Sequence, residues 1–124
     1  MVKKRTKTTR KKVTPLPVPG APLDITTRDA EGRTPLHLAA FFGYAATVKK
    51  MLQQLADVNA RDDGERTPGH WPAYKGHLDV IRMLLESGAD VNARDTGGRT
   101  WLRMAIIGRQ GPMEELLRVH GAVL

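Results

Sequence analysis

Asp90-Val91-Asn92-Ala93-Arg94-Asp95 is the third appearance of one pattern: Asp57-Val58-Asn59-Ala60-Arg61-Asp62 precedes it by 33 residues, and Asp24-Ile25-Thr26-Thr27-Arg28-Asp29 precedes that by 33 more. Thr34, Thr67 and Thr100 keep the same step, as do Ala40, Ala73 and Ile106, and Met51, Leu84 and Leu117. Self-similarity at a fixed period of this size marks a stack of supersecondary units. No single unit buries its own apolar face, so neighbours must supply the core.

Working outward from that repeat, each copy reads as two short helices and a turn. Thr34-Pro35 and Thr67-Pro68 set a capping hydroxyl before a proline at the first helical position, where the missing N–H costs nothing. Leu36, Leu38, Ala39 and Ala40 give the first helix a small apolar face, and Gly43 or Gly76 ends it. A second apolar-periodic stretch follows, as at Val80, Ile81, Met83, Leu84 and Leu85, with Gly88 and Gly121 suited to a left-handed cap after it. Asp63-Gly64 and Gly97-Gly98 predict a tight hairpin turn leading into the next copy.

These residues resemble the ankyrin repeat family. Thr34-Pro35-Leu36-His37-Leu38-Ala39-Ala40 is similar to its TPLHLAA signature, Gly76-His77 to its GH, and Leu84-Leu85-Glu86-Ser87-Gly88-Ala89-Asp90-Val91-Asn92-Ala93 to its LLxxGADVNA. The resemblance implies an all-α repeat solenoid of stacked helix-turn-helix units with β-hairpin finger loops, occupying residues 23–124 with repeats at about 29–61, 62–94 and 95–124. It also implies a protein-binding concave face made from finger tips and the outward side of each first helix. Carried onto this sequence, the partner-binding candidates are Arg28, Arg33, Phe41 and Phe42, then Arg61, Arg66, Tyr74 and Lys75, then Arg94 and Arg99. Arginine and aromatic side chains together are the composition enriched at binding hot spots. In this family Asn59 and Asn92 are expected to tie helix to finger, and asparagines of this motif are also hydroxylation substrates.

The departures from the family pattern carry expectations too. The middle copy reads Thr67-Pro68-Gly69-His70-Trp71-Pro72-Ala73, with Gly69, Trp71 and Pro72 where the family has Leu, Leu and Ala. Were Thr67 the cap, Pro72 would be the fifth helical residue, costing about 3 kcal/mol, with about 1 kcal/mol more for Gly69. A helix broken or kinked around Trp71, and a weak middle repeat, are therefore expected. The third copy has Trp101 for the proline and Arg103 for the histidine; Glu114 and Glu115 early and Arg118 late in its second helix suit the helix dipole and a solvated closing face.

Charge divides the chain in two. Its formal +7 lies wholly in residues 1–12, where Lys3, Lys4, Arg5, Lys7, Arg10, Lys11 and Lys12 stand without an acid; the other 13 Lys and Arg equal the 13 Asp and Glu. Self-repulsion and the absence of an apolar face predict a disordered basic tail. Pro15, Pro17, Pro19 and Pro22 predict an extended linker over 13–22, which also contains a loose PxxP match at Pro19 to Pro22. The tail is suited to weak, sequence-independent contacts with nucleic acid or another acidic surface, to nuclear targeting, or to solubility; a mitochondrial leader would need the apolar face it lacks.

The same residues argue against catalysis. The chain has no cysteine, so disulfides, thiolate chemistry and the common structural zinc sites are excluded. His37 and His70 occupy one repeat position, where the family uses the ring to bond the capping threonine, and His77 has a similar place in a turn. Ser87 precedes a helix-ending glycine rather than sitting in a nucleophile elbow. Gly64 to Gly69 spells GxxxxG without the following lysine. Glu114 and Glu115 diverge by about 100° around their helix. No stretch approaches the ~20 apolar residues of a membrane span. The expectation is a monomeric, cytoplasmic or nuclear, non-enzymatic scaffold for another protein, without cofactor or metal, the alternative being a tether that works through its basic tail.

Overall fold

The computed structural model describes residues 24–124; the tail and linker expected at 1–12 and 13–22 lie outside the described residues. Among the described residues six helices form three successive pairs: α1 (Pro35–Phe42) with α2 (Ala45–Gln53), α3 (His70–Lys75) with α4 (Leu78–Glu86), and α5 (Trp101–Ile107) with α6 (Gly111–Val119). First helices pack on first helices, α1 against α3 and α3 against α5, while α2 packs against α4. One apolar core runs between the rows, including Leu36, Val48, Ile81, Leu84, Leu102, Met113 and Leu117. Each pair borrows its neighbour to close this core, as the repeat period requires.

Between pairs the chain projects as a finger, a hydrogen-bonded turn with no strand among the described residues. Asp29, Asp62 and Asp95 organise the three fingers identically. The backbone N–H of each bonds the carbonyl of Arg33, Arg66 or Arg99, all at 3.0 Å. One carboxylate oxygen accepts two backbone N–H groups, from Glu31 and Arg33, Gly64 and Arg66, or Gly97 and Arg99. Adjacent fingers join where Asp63 N–H bonds Glu31 O and Thr96 N–H bonds Gly64 O, each at 2.9 Å. The left-handed residue of the middle finger is Glu65 (φ 62°), in register with Gly32 and Gly98, and not Gly64 of the expected Asp63-Gly64 turn.

Thr34 caps α1 as expected and Thr100, in register with it, caps α5, their hydroxyls accepting from the backbone N–H of His37 and Arg103. The middle repeat departs from its expectation. Thr67 O accepts from His70 N–H in a tight turn, Gly69 takes the cap position, and α3 starts at His70, two residues later in register than α1. It then runs unbroken through Trp71 and Pro72 to Lys75. The late start places Pro72 in the first turn, where no intrahelical donor is needed, and places Gly69 at a cap, where glycine is well tolerated. Both anticipated costs are thereby removed, and the helix is shortened rather than kinked at Trp71.

A second compensation crosses repeats. A Cβ added at Gly69 would lie 2.1 Å from Cζ2 of Trp101, whose ring is fully buried. The leucine-sized space vacated in repeat two is thus filled by the tryptophan that replaces proline in repeat three. Its indole N–H donates to the Thr67 hydroxyl at 2.9 Å, so the buried ring has no orphaned donor.

Candidate interaction surface

Three sets of polar side chains hold the fingers and leave one other set facing outward. The first set is histidine. His37 Nε2 lies 2.8 Å from Arg66 O and His70 Nε2 lies 3.0 Å from Arg99 O. A carbonyl only accepts, so Nε2 carries the proton in both rings, and Nδ1 accepts from the N–H of Thr34 or Thr67. Each imidazole therefore joins its own helix cap to the next finger. Burial pushes both pKa values below the ordinary histidine range, only partly opposed by the carbonyl bond and by Asp62 or Asp95. Both rings are neutral structural ties, and among the described residues no group of His, Asp and Glu is arranged to hold a metal ion.

Arginine forms the second set. Arg28 Nη1 donates to Gly32 O of its own finger and to Arg61 O of the next, at 2.8 and 2.7 Å. Arg61 repeats this on Glu65 O and Arg94 O, at 2.9 and 2.7 Å. Arg94 bonds Gly98 O and, through Nη2, Leu124 O. These three guanidiniums form a ladder along the fingers, fixed on backbone carbonyls. Arg33 and Arg99 pair through Nε with Asp29 and Asp95 at 2.8 and 3.0 Å. Burial raises the pKa of these two carboxyls, and the N–H groups and charge of their arginines outweigh it, leaving both below the ordinary range.

Asparagine is the third. The Asn59 side-chain oxygen accepts from Asp90 N–H at 2.8 Å and that of Asn92 from Val123 N–H at 2.9 Å, so each ties its loop to the corresponding loop one repeat on.

The outward-facing set is aromatic. The chain has two Phe, two Tyr and two Trp; Trp101 is buried and the other five form one continuous ladder. Tyr44 stacks on Phe42 (5.6 Å between ring centroids), Phe42 meets Phe41 edge-on (5.0 Å), Phe41 meets Trp71 (6.0 Å), and Trp71 meets Tyr74 (5.6 Å). Phe41 and Trp71 are half-buried, whereas Phe42, Tyr44 and Tyr74 are 55%, 44% and 37% exposed. The ladder crosses from α1 to α3, with Ile107 of α5 also exposed. Lys75 Nζ lies 4.1 Å from the Phe41 centroid, and the Arg66 guanidinium lies 5.5 Å from Trp71.

Among the sequence candidates, Phe41, Phe42, Tyr74, Lys75 and Arg66 are brought together here, Arg33 and Arg99 stand on the neighbouring fingers, and Arg28, Arg61 and Arg94 lie in the backbone ladder. Lys3, Lys4, Arg5, Lys7, Arg10, Lys11 and Lys12 are outside the described residues. Trp71 and Tyr44 were not among the candidates. Trp71 stands where the family pattern has a leucine, and Tyr44 follows the glycine that ends α1; spacing finds Trp71, since residues three apart on a helix, 71 with 74, are neighbours, whereas Tyr44 lies outside α1 and reaches Phe42.

The ankyrin-repeat family model, in three copies, matches residues 9–95, and the chain belongs to that family. Helices α5 and α6 fall beyond the match, yet Thr100 caps α5 in register with Thr34. No curated protein matches the chain. Ankyrin repeats mediate protein–protein interaction and are typically non-enzymatic. No helix among the described residues is long and apolar enough to cross a membrane.

Proposed function

We propose that this chain is a protein-binding scaffold whose contact surface is the first-helix and finger face, concave in this family, centred on the aromatic ladder from Tyr44 to Tyr74. The observation that carries the reading is the placement of the aromatic residues. Five of six lie at one surface, where an uncommitted fold would bury them for their large apolar area. Arg33 and Arg99 form the rim of this surface, while Arg28, Arg61 and Arg94 serve chiefly to set the finger spacing.

The test is affinity capture with the full chain against its Phe42→Ala/Tyr74→Ala variant and against a third form with the seven tail cations changed to Gln. Loss of a high-salt protein partner in the aromatic variant alone, with an unchanged helical circular dichroism spectrum, supports the reading. Binding that follows the tail cations and disappears with salt refutes it in favour of a tether to nucleic acid or another acidic surface, since only that term is carried by counterion release.

A further inference from the structure

We infer that the segment recognised by this surface is an acidic peptide with apolar anchors, a reading that rests on the surface proposed above. The three first helices, α1, α3 and α5, contain no Asp or Glu. Helical acids in the described chain stand on the second helices, as at Asp79, Glu86, Glu114 and Glu115. Two cations bracket the Phe41–Trp71 contact. Lys75 has no carboxylate within 4.0 Å among the described residues. Arg66 is displaced from Asp62, with Nε to Oδ2 at 3.6 Å against 2.8 and 3.0 Å in the other fingers. Its Nε is buried and without a hydrogen-bond partner. An extended segment sets side chains two or four apart on one side, roughly 7 or 14 Å from each other. It can offer a carboxylate to each cation with an apolar side chain between them on the rings.

Charge decides against the chain's own N-terminal segments as occupant. Residues 1–12 carry the same sign as Lys75 and Arg66, and residues 13–22 contain no charged residue and would leave both cations unmatched. Ring geometry decides against single-stranded nucleic acid. Bases need open aromatic faces and a continuous positive groove, whereas Lys75 lies over Phe41, Arg66 lies over Trp71, and exposed Glu31, Asp63 and Glu65 lie on the adjoining fingers.

The experiment is selection of phage-displayed random dodecapeptides on the full chain, followed by fluorescence anisotropy with the dominant synthetic peptide. Oligo-dT and a peptide of residues 13–22 are run as competitors. The expected pool carries two or more Asp or Glu around Leu, Ile or aromatic residues. Lys75→Glu is expected to weaken the peptide about tenfold with helical content unchanged, and an Asp/Glu→Lys peptide to regain affinity for that variant. A neutral, basic or proline-rich pool, an empty pool, indifference to Lys75→Glu, or displacement by oligo-dT overturns the inference. Acidic peptides that are indifferent to Phe42→Ala/Tyr74→Ala overturn the surface reading itself; sensitivity to the aromatics without sensitivity to Lys75→Glu overturns only the acidic partner.

Discussion

Replacing Gly69 by alanine should destabilise the protein, although the backbone there favours the larger residue. Gly69 has φ −87° and ψ −12°, conformations open to any residue, so Gly→Ala gains at most about 0.4–1 kcal/mol through the unfolded chain, a gain reduced because glycine is preferred to alanine at a cap. Against this, the new Cβ would stand 2.1, 2.3 and 2.5 Å from three carbons of the Trp101 ring. The ring is fully buried and anchored by its N–H to Thr67, so it has nowhere to retreat. Overpacking of this kind costs about 1–3 kcal/mol, leaving a net loss of about 1–2 kcal/mol. For a folded unit of this size that lowers Tm by roughly 5–15 °C. The decisive form is a double-mutant cycle with Trp101→Leu, which clears the ring while keeping an apolar side chain. In that background Gly69→Ala should become neutral or stabilising, a coupling of about 1.5–3 kcal/mol within the range for contacting residues. Urea unfolding followed by far-ultraviolet circular dichroism measures all four corners. Equal effects of Gly69→Ala in both backgrounds would refute the compensation between repeats two and three.

Three further perturbations test separate parts of the structure. Left-handed backbone recurs in three registers, and each contains one residue other than glycine: Leu55 (φ 66°) beside Gly88 and Gly121, Glu65 beside Gly32 and Gly98, and Arg109 (φ 56°) beside Gly43 and Gly76. An L-residue pays about 1–2 kcal/mol there and glycine loses about 0.5–1 kcal/mol of that advantage in the unfolded chain, so Leu55→Gly should raise stability by about 0.5–1 kcal/mol, seen as a higher urea midpoint. Because His37 and His70 have folded pKa values below 6.5, the unfolded chain binds protons first. Their contribution is complete above about pH 6.5 and lost as pH falls towards the folded values, with a slope of at most about 2.7 kcal/mol per pH unit; His70→Gln should flatten the profile measured by thermal unfolding between pH 7 and 5. Arg61→Met removes a guanidinium shared by two fingers and should cost about 1–2 kcal/mol, with faster amide hydrogen exchange at Thr96, whose N–H spans the same fingers.

The repeat architecture was legible because it rests on local chemistry expressed three times. The Thr34-Pro35 cap, helix-ending glycines and a 33-residue apolar register each specify backbone without reference to distant residues. What was not legible depends on pairs across repeats. The costs expected of Pro72 and Gly69 belong to a helix that begins in the register of α1, and nothing local announces that α3 begins at His70 instead. Glu65 adopts the left-handed turn because the two flanking finger bonds, Asp62 N–H to Arg66 O and Glu65 N–H to Asp62 O, fix the loop whatever its residue type. In sequence the arginines form one class of candidate, but Arg28, Arg61 and Arg94 each bridge a carbonyl four residues on to one about a repeat away, and that second link is visible in sequence only as the period itself.

The middle repeat shows how such departures act together. Trp71 stands where repeat one has half-buried Leu38 and repeat three has buried Met104. A ring too large for that position stays at the surface, continues the ladder begun by Phe41, and draws Arg66 from its aspartate onto its own face. Pro72, the next residue, lies in the first turn of a shortened helix, and the shortening leaves Gly69 at a cap directly beneath Trp101. Restoring the family residue at any one position therefore meets a neighbour shaped for the substitute. Gly69→Leu would collide with Trp101, while Trp71→Leu would remove the only ring joining Phe41 to Tyr74 and return Arg66 to Asp62. The first is read as stability and the second as binding, so measuring both on each variant separates packing compensation from the partner surface.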